Sequence, residues 1–277
     1  MSRITHRTAT PGEVAQILDW AAQEGWNPGF EDAPAFHAAD PGGFFLAETG
    51  GRPVAAISVV NHDAHHAFLG LYICHPDYRG QGIGLGLWHH ALKHAGNRGI
   101  GLDGVPAQEA NYAASGFVLT DRTRRLTGQF APQEPSLHLA RPQDMAALAR
   151  LDEAATGLRR GAFLHVWLGD SATRKTVVLR EGPEVTGFAT ARRCGTGCKI
   201  GPVIAPDPDT ALRLARQAAA ALDETLAILD VPDSRAAFGA LLRRGGFTES
   251  FATARMYRGP APQGNGTLMA VATLELG

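Results

Sequence analysis

Apolar residues in the first part of the chain recur with two spacings, which predict alternating strands and helices. Val14, Ile17, Leu18 and Ala21 follow the helical period of about 3.6 residues. Thr10 and Pro11 before them are typical of an N-cap and a first helical turn. Short apolar runs predict strands at residues 4–9, 44–48, 53–60, 66–73, 100–105 and 117–126. Further helices are predicted at residues 34–39, after residue 84, and at 108–115.

A second run of elements follows a proline-containing linker at residues 129–135. Residues 136–145 repeat the strand, proline and helix order of residues 4–14. Strands are then predicted at 177–180, 186–193, 198–205, 225–231 and 268–276, and helices at 210–222 and 234–244. Both halves end on Gly-Phe followed by an arginine-containing strand. We interpret the chain as an internal duplication with domains at residues 1–128 and 136–277.

The composition is that of an ordinary globular protein. Of 277 residues, 44% are hydrophobic and 19% are charged, and the formal net charge is −1. Such a chain has no basic field, which argues against a nucleic-acid partner. The polar N-terminal segment has no apolar signal core, and no apolar run predicts a membrane span. Because three cysteines are too few for a disulfide framework, we expect a cytoplasmic protein.

Glycines cluster where a predicted strand meets a predicted helix. Pro76 ends the strand, residues 79–84 read Arg-Gly-Gln-Gly-Ile-Gly, and Leu87, Trp88 and Ala91 continue at helical spacing. Glycines let a ligand approach the backbone, and free amides at a helix start attract anions, so this turn predicts a phosphate or pyrophosphate site. A Gly-x-Gly-x-x-Gly dinucleotide motif fits poorly because its third glycine is missing, and no Gly-Lys-Ser/Thr of a Walker loop follows.

Arg79-x-x-Gly82-x-Gly84 resembles the acetyl-CoA pyrophosphate loop of GNAT-family N-acetyltransferases, and the order of elements over residues 1–128 is similar to that family. The resemblance implies an α/β (α+β) fold with two GNAT-like domains, each a mixed, mostly antiparallel sheet flanked by helices. It also implies acetyl-CoA as cosubstrate and no metal. The residues it assigns to the cosubstrate are Ile73, Cys74, Arg79, Gly80, Gln81, Gly82, Ile83, Gly84 and Asn111.

Tyr112-x-x-x-Gly116-Phe117 resembles a second motif of the same family. The resemblance implies that Tyr112 is the general acid that protonates the departing thiolate, and a phenol of pKa ~10 can serve a thiol of pKa about 8.5. The alternative is a tyrosine that packs on the cosubstrate without proton transfer. Asn111 either contacts the pantetheine or caps the short helix. We interpret Cys74 as a small buried residue, not as a nucleophile.

No motif indicates the general base for the acceptor amine. The strand at residues 66–73 has no carboxylate where some family members keep a glutamate. The candidates, acting directly or through water, are Glu48, Asp103, Glu31 and His37. Adjacent histidines at 65–66 and 89–90 project to different faces, so they predict no metal site. Cys194 and Cys198 are typical of a hairpin tip and make a poor zinc site.

The second half is similar to the C-terminal domain of bacterial tandem acetyltransferases of the YitH type, through residues 200–205, 229–233, 245–247 and 255–259. Where a pyrophosphate loop would lie, residues 205–211 contain two prolines and two aspartates, which remove amide donors and add negative charge. Asp209 or Thr210 is expected to cap the next helix. This half then shapes the acceptor pocket or packs on the first half. Asp230 and Asp233 are candidate acceptor contacts, or turn and cap residues.

Two function classes follow from these patterns. The first is an acetyl-CoA-dependent N-acetyltransferase in which a primary amine, most simply a small molecule, attacks the thioester directly. The second is a non-catalytic acyl-CoA-binding or sensor protein with the same fold. Tyr112 favours the enzyme, whereas the unassigned base and the altered second loop keep the sensor open. No motif identifies the acceptor or the oligomeric state.

Overall fold

The computed structural model describes residues 3–277, so the first two residues of the polar N-terminal segment lie outside the described residues. The strands are β1 (Ile4–Thr8), β2 (Phe44–Thr49), β3 (Arg52–Asn61), β4 (His66–Cys74), β5 (Gly99–Gly104), β6 (Val118–Gln129), β7 (His138–Leu139), β8 (Arg174–Glu181), β9 (Glu184–Arg193), β10 (Cys198–Ile204), β11 (Leu226–Pro232), β12 (Thr248–Arg258) and β13 (Leu268–Ala270). The helices are α1 (Pro11–Gln23), α2 (Asp32–Ala39), α3 (Ile83–Ala91), α4 (Glu109–Ala114), α5 (Met145–Thr156), α6 (Gly161–Trp167), α7 (Pro208–Ala220) and α8 (Ala236–Arg244).

The strands of both halves form one continuous sheet. Its order is β1-β2-β3-β4-β5-β12-β6-β11-β10-β9-β8-β7, and β13 pairs with β10 beside this path. Neighbouring strands are antiparallel except at β4–β5 and β10–β11, which are parallel. The sheet is therefore mixed and mostly antiparallel, as the family resemblance implies, but a single sheet spans both halves.

The last strand of each half pairs with the other half. β12 lies between β5 and β6, so Tyr257 is opposite Gly101 of the first half. β6 pairs with β11, which places Arg125 opposite Asp230. The halves thus share backbone hydrogen bonds in the middle of the sheet. Residues 130–136 lie outside helices and strands. The domain limits at residues 128 and 136 stay a prediction, because β6 and β12 each pair with strands of the other half.

Helices cover the sheet according to their apolar faces. Helix α1 begins at a capping box, in which the Thr10 hydroxyl accepts from the Glu13 amide and the Glu13 carboxylate accepts from the Thr10 amide. Its buried residues are the predicted set Val14, Ile17, Leu18 and Ala21. Helices α1 and α2 share one apolar core, whereas α3 packs with β3 and β5 in another.

The C-terminal tail, residues 268–277, lies between the two halves and is mostly buried. The predicted strand at residues 268–276 is wrong beyond Ala270, because Val271 leaves β10 and donates from its amide to the Asp230 carbonyl of β11 at 3.0 Å. Arg160 holds the end of the tail by donating to the Gly277 backbone oxygen. The same guanidinium donates to both carboxylate oxygens of Asp152 at 2.8 and 2.9 Å.

A buried ion-pair cluster also joins the halves. Asp32 of α2 accepts from Arg174 of β8 at 2.8 Å and from Arg192 of β9 at 3.0 Å. All three side chains are at most 4% exposed. Burial opposes ionisation of Asp32, but Arg192 and Arg174 bring its pKa below the ordinary value. Asp32 is therefore an anion at neutral pH.

We predict that Asp32→Asn lowers the free energy of unfolding by about 3–5 kcal/mol, because it leaves two buried guanidinium groups without a compensating charge. Urea unfolding followed by tryptophan fluorescence measures the loss. Asp170→Asn is the matched control, since Asp170 pairs with Lys175 at the surface and exposed pairs contribute about 0–1 kcal/mol. Equally small losses for the two variants would contradict this account of the cluster.

Candidate active site

Strands β4 and β5 pair over only part of their length. Their parallel ladder ends at Leu69, whereas β4 continues to Cys74. Leu71 has a φ of +48°, and the register with β3 shifts at this place, which is typical of a β-bulge. Within residues 3–277, no strand pairs with β4 on the β5 side beyond Leu69. This edge can therefore offer its backbone amides to a ligand.

A cavity of about 270 Å³, called here the splay cavity, opens between the ends of β4 and β5. Cys74 and Tyr112 line it from the first half. Arg125 of β6, Phe251 of β12 and Glu275 of the tail also line it. The strand exchange and the tail thus complete a cavity that the first half alone would leave open.

The glycine-rich turn lies at the exposed start of helix α3. Gly80 and Gly82 have φ of +75° and +78°, in the left-handed region that favours glycine. Gly82 is the N-cap residue, and the first bond of the helix runs from the Gly86 amide to the Gly82 carbonyl at 3.0 Å. The amides of Ile83 and Gly84 precede this bond and have no acceptor inside the helix. The turn thus has the geometry of an anion site.

The Arg79 side chain points back toward β4. Its Nε donates to the Cys74 carbonyl at 2.8 Å, and one terminal nitrogen donates to Glu24 at 2.5 Å. Gln81 donates to the Asp77 carbonyl at 3.0 Å. These side chains hold the shape of the turn, so its backbone amides are the groups left to face an anion.

Tyr112 is placed in the splay cavity by aromatic packing and by a glycine. Its ring stacks on Trp88, with 5.7 Å between ring centroids. A Cβ on Gly104 would overlap the Tyr112 ring, so only glycine leaves room for it. Burial raises the pKa of Tyr112 above its ordinary value. The hydroxyl therefore stays protonated at neutral pH, as a proton donor requires. Burial likewise raises the pKa of Tyr72, also in the cavity, to about 12.

The remaining predicted cosubstrate residues have different surroundings. Cys74 lines the splay cavity, and burial raises the pKa of its thiol, which disfavours a thiolate nucleophile. Ile73 and Ile83 are buried. Gly84 lies against the Tyr72 hydroxyl. Asn111 is exposed, does not line the splay cavity, and donates to the Gln108 side chain at 2.6 Å.

Three of the four candidate bases lie away from the splay cavity. Glu48 pairs with Arg7 at 2.5 Å. Hydrogen bonds from Ser171 and Thr173 lower the pKa of Glu31. His37 lies on α2, outside the cavity lining.

Asp103 does line the splay cavity, but its carboxylate is engaged. Arg255 donates to both of its oxygens, at 2.9 and 2.5 Å. Burial nevertheless raises the pKa of Asp103. A carboxylate held bidentate by a buried guanidinium is poorly placed to take a proton from an acceptor.

Sequence reasoning missed the residues that enter the cavity from distant parts of the chain. Trp26 follows α1, Phe251 lies on β12, and Glu275 lies on the tail. Two features of the sequence could have indicated the tail. Residues 268–276 are apolar apart from Thr273 and a single acidic residue, Glu275, and β4 contains a glycine, Gly70. A Cβ on Gly70 would overlap the Glu275 backbone, so this glycine marks the close approach of the tail.

In the second half, the parallel strands β10 and β11 also diverge, but the space between them is filled. The two strands pair only near the start of β10, at Cys198 and Lys199. Farther along β10, at Val203, its partner is β13. The amide of Val271 bonds to β11, so the tail occupies the space between the diverging strands. A Cβ on Gly201 would overlap the Val271 backbone.

A carboxylate closes the start of α7, where the second half would hold a phosphate. The predicted cap, Asp209 or Thr210, is wrong, because Asp207 is the N-cap residue. Asp207 accepts from the Thr210 amide at 2.8 Å and from the Thr210 hydroxyl at 2.7 Å. Negative charge at this helix start disfavours a bound anion.

The two aspartates suggested as acceptor contacts are both ion-paired. Asp230 binds Arg125 at 2.8 and 2.9 Å, and Asp233 binds Arg124 at 2.6 and 3.0 Å.

Residues 3–277 contain no group of three or more His, Cys, Asp or Glu side chains that could hold a metal ion. They also contain no helix that is long and apolar enough to cross a membrane.

Two family models match the chain, one in each half. Residues 12–117 match the acetyltransferase (GNAT) family, and residues 148–270 match an acetyltransferase (GNAT) domain. The first match includes the glycine-rich turn and Tyr112. Both halves therefore carry the pattern that the sequence resemblance indicates.

Solved structures show the same fold over nearly the whole chain. An acetyltransferase structure from Pyrococcus horikoshii has a TM-score of 0.82 at 19% identity and covers 99% of this chain and 96% of that one. A tandem GNAT protein from the clavulanic acid biosynthesis pathway has a TM-score of 0.61 at 16% identity, covering 94% of this chain and 100% of that one. At these identities the likeness shows the fold alone.

A curated relative is similar over its full length. The holothin acyltransferase of Pseudoalteromonas sp. (strain SANK 73390) is 34% identical to this chain over 278 residues, which covers 99% of this chain and 94% of the relative. The family matches, the tandem fold and this relative agree with one another. The chain therefore belongs to the GNAT family and is a tandem-domain acyltransferase.

Proposed function

We propose that this enzyme is a cytoplasmic, acetyl-CoA-dependent N-acetyltransferase that acetylates the primary amine of a small molecule, with Tyr112 as general acid. The observation that carries the proposal is the position of Tyr112. Its half-buried, protonated hydroxyl shares the splay cavity with the unpaired edge of β4, directly before the glycine-rich turn. These are the proton donor and the backbone donors that thioester aminolysis needs.

The GNAT family uses acetyl-CoA as a cosubstrate, and the residues of the first half fit it. The backbone amides of residues 80–84 would hold the pyrophosphate at the start of α3, where Gly80 and Gly82 leave the turn open. The unpaired edge of β4 between Leu71 and Cys74 would bind the pantetheine arm and the thioester carbonyl. The second half has neither the open strand edge nor a free helix start, so we assign one cosubstrate to each chain.

The reaction follows from these positions. The amine nitrogen attacks the thioester carbonyl, forming the C–N bond as the C–S bond breaks. The nitrogen loses a proton to a base, and the leaving thiolate takes the Tyr112 proton. Tyr112 then regains a proton from water, and the base gives its proton to the hydroxide that remains, so atoms and charge balance. Because burial raises the pKa of Tyr112, it remains protonated until the thiolate develops.

The relative is named as a holothin acyltransferase, which supports the proposal of a small-molecule acceptor. We therefore propose a small-molecule acceptor for this chain and would test holothin together with a panel of primary amines. The engaged residues Asp230 and Asp233 are proposed to hold β6 against the second half instead of contacting the acceptor.

We predict that Tyr112→Phe lowers kcat by about 10²-fold or more, because general acid catalysis contributes 10²–10⁴-fold. Acetyl-CoA affinity should stay within about twofold, since the ring and its stacking on Trp88 are kept. Release of free thiol measures turnover. Tyr257→Phe, the same change at a tyrosine outside the splay cavity, is the control. Equal rates for the Tyr112 variant and the wild type would overturn the assignment. Tight acetyl-CoA binding without turnover on any amine would favour a sensor.

We predict that Gly82→Asp weakens acetyl-CoA binding by about tenfold or more. The change puts a carboxylate at the proposed phosphate site and a side chain at a left-handed φ of +78°. Isothermal titration measures the affinity. Gly182→Asp is a matched control, because Gly182 has a φ of +60° in the exposed turn between β8 and β9. If both variants bind acetyl-CoA like the wild type, the phosphate site is elsewhere.

A further inference from the structure

A groove of about 840 Å³, called here the inter-half groove, runs between the end of α1 and the second half. Trp26 and Phe30 line it from the first half, and Ile228 and Phe251 line it from the second. Trp26, Arg125 and Phe251 line both this groove and the splay cavity. The groove therefore adjoins the cavity that contains Tyr112, on a side from which an acceptor can approach.

The walls of the inter-half groove are flat and largely apolar. They include the indole of Trp26 and the rings of Phe30 and Phe251. Phe30 is 65% exposed, so its ring is accessible to a ligand in the groove. The Arg125 guanidinium lies 5.6 Å from the centre of the Phe251 ring and fixes one wall. Aromatic walls of this kind favour a planar, apolar ligand.

Glu275 is an acidic residue of the splay cavity, which shares three lining residues with the groove. It is 8% exposed, and among residues 3–277 no Lys, Arg or His nitrogen lies within ion-pair distance of it. Its carboxylate accepts from the Thr273 hydroxyl. Asp103, the other carboxylate in the cavity, is held by Arg255. A nearly buried carboxylate without a cationic partner is suited to bind an amino group.

The tail holds Glu275 firmly in place. The Gly277 backbone oxygen accepts from the buried Arg160, and the Leu276 carbonyl lies 2.7 Å from Nε2 of His62. The Gly277 amide donates to the Thr273 carbonyl at 3.1 Å. These contacts fix the backbone on both sides of Glu275, which is the preorganisation that a catalytic group needs.

Cations surround the carboxylate without neutralising it directly. The cations whose charges act on Glu275 are Arg125, Arg192 and Lys199. The other titratable groups that line the splay cavity with it are Tyr72, Cys74, Arg79, Asp103 and Tyr112. Arg125 is paired with Asp230, and Arg192 is paired with Asp32. Lys199 donates to the Trp26 carbonyl at 2.8 Å, and burial, followed by Arg125, lowers its pKa.

We propose that the acceptor is a primary amine on a planar, apolar body. The body lies in the inter-half groove between Trp26 and Phe251, and the amino group lies at Glu275. Glu275 takes the proton that the nitrogen loses as the C–N bond forms, and the proton then passes to water. This inference rests on the proposed N-acetyltransferase function, and it gives that reaction its base and its substrate class.

The first test is Glu275→Gln, assayed with acetyl-CoA and tryptamine. We expect kcat/KM to fall by about 10²-fold, while acetyl-CoA affinity and Tm stay close to those of the wild type. Glu275→Asp should recover part of the activity. Glu184→Gln, at an exposed carboxylate in the β8–β9 hairpin, should behave as the wild type.

The second test uses substrate shape. We expect the wild type to prefer tryptamine over n-hexylamine and spermidine by about tenfold or more in kcat/KM. Phe251→Ala should lower kcat/KM for tryptamine much more than for n-hexylamine, because only the planar amine uses this wall.

The outcomes separate the two proposals. If the wild type acetylates amines but Glu275→Gln keeps the same kcat/KM, Glu275 is not the base. If tryptamine has no advantage and Phe251→Ala affects all amines equally, the substrate class is wrong. Either result overturns this inference and leaves the N-acetyltransferase proposal intact. A wild type that acetylates no amine would contradict the proposed function itself.

Discussion

The position of the C-terminal tail is the constraint on which the candidate site depends. Arg160 bonds both to Asp152 and to the backbone of Gly277, so this residue of the tail is fixed in the interior. The tail occupies the space between the diverging strands β10 and β11, and its backbone at Glu275 reaches Gly70 of β4. The same segment closes the cleft of the second half and supplies Glu275 to the cleft of the first.

The strand exchange explains why two similar halves can differ in function. With β12 beside β5 and β6 beside β11, side chains from the second half line the cavity of the first. Arg125 and Asp230 pair directly across this exchange, at a position where both are nearly buried. The second half has an altered helix start at Asp207 and a filled cleft, so we propose that it has a structural role and shapes the acceptor side.

The sequence predicted the features that local spacing determines. The helical face of α1, the glycine-rich turn before α3 and the placement of Tyr112 after β5 all depend on neighbouring residues. The sequence did not predict which strands pair at the centre. β6 and β12 end their halves in the same way, and periodicity does not distinguish one antiparallel partner from another.

The residues of the proposed acceptor side could not be predicted from the sequence for the same reason. Trp26, Phe251 and Glu275 are far apart in the chain, and none belongs to a motif. They come together only through the exchange and the tail. The cap of α7 was misplaced within one short segment, because residues 206–209 alternate proline and aspartate and allow more than one start for the helix.

The most direct test of this account is the number of acetyl-CoA molecules that bind to each chain. Titration calorimetry, with native mass spectrometry as a second readout, gives this number without any need to know the acceptor. The filled cleft and the Asp207 cap of the second half predict one molecule per chain. Two molecules per chain, or one that remains when the glycine-rich turn of residues 79–84 is disrupted, would contradict the assignment of a single working site to the first half.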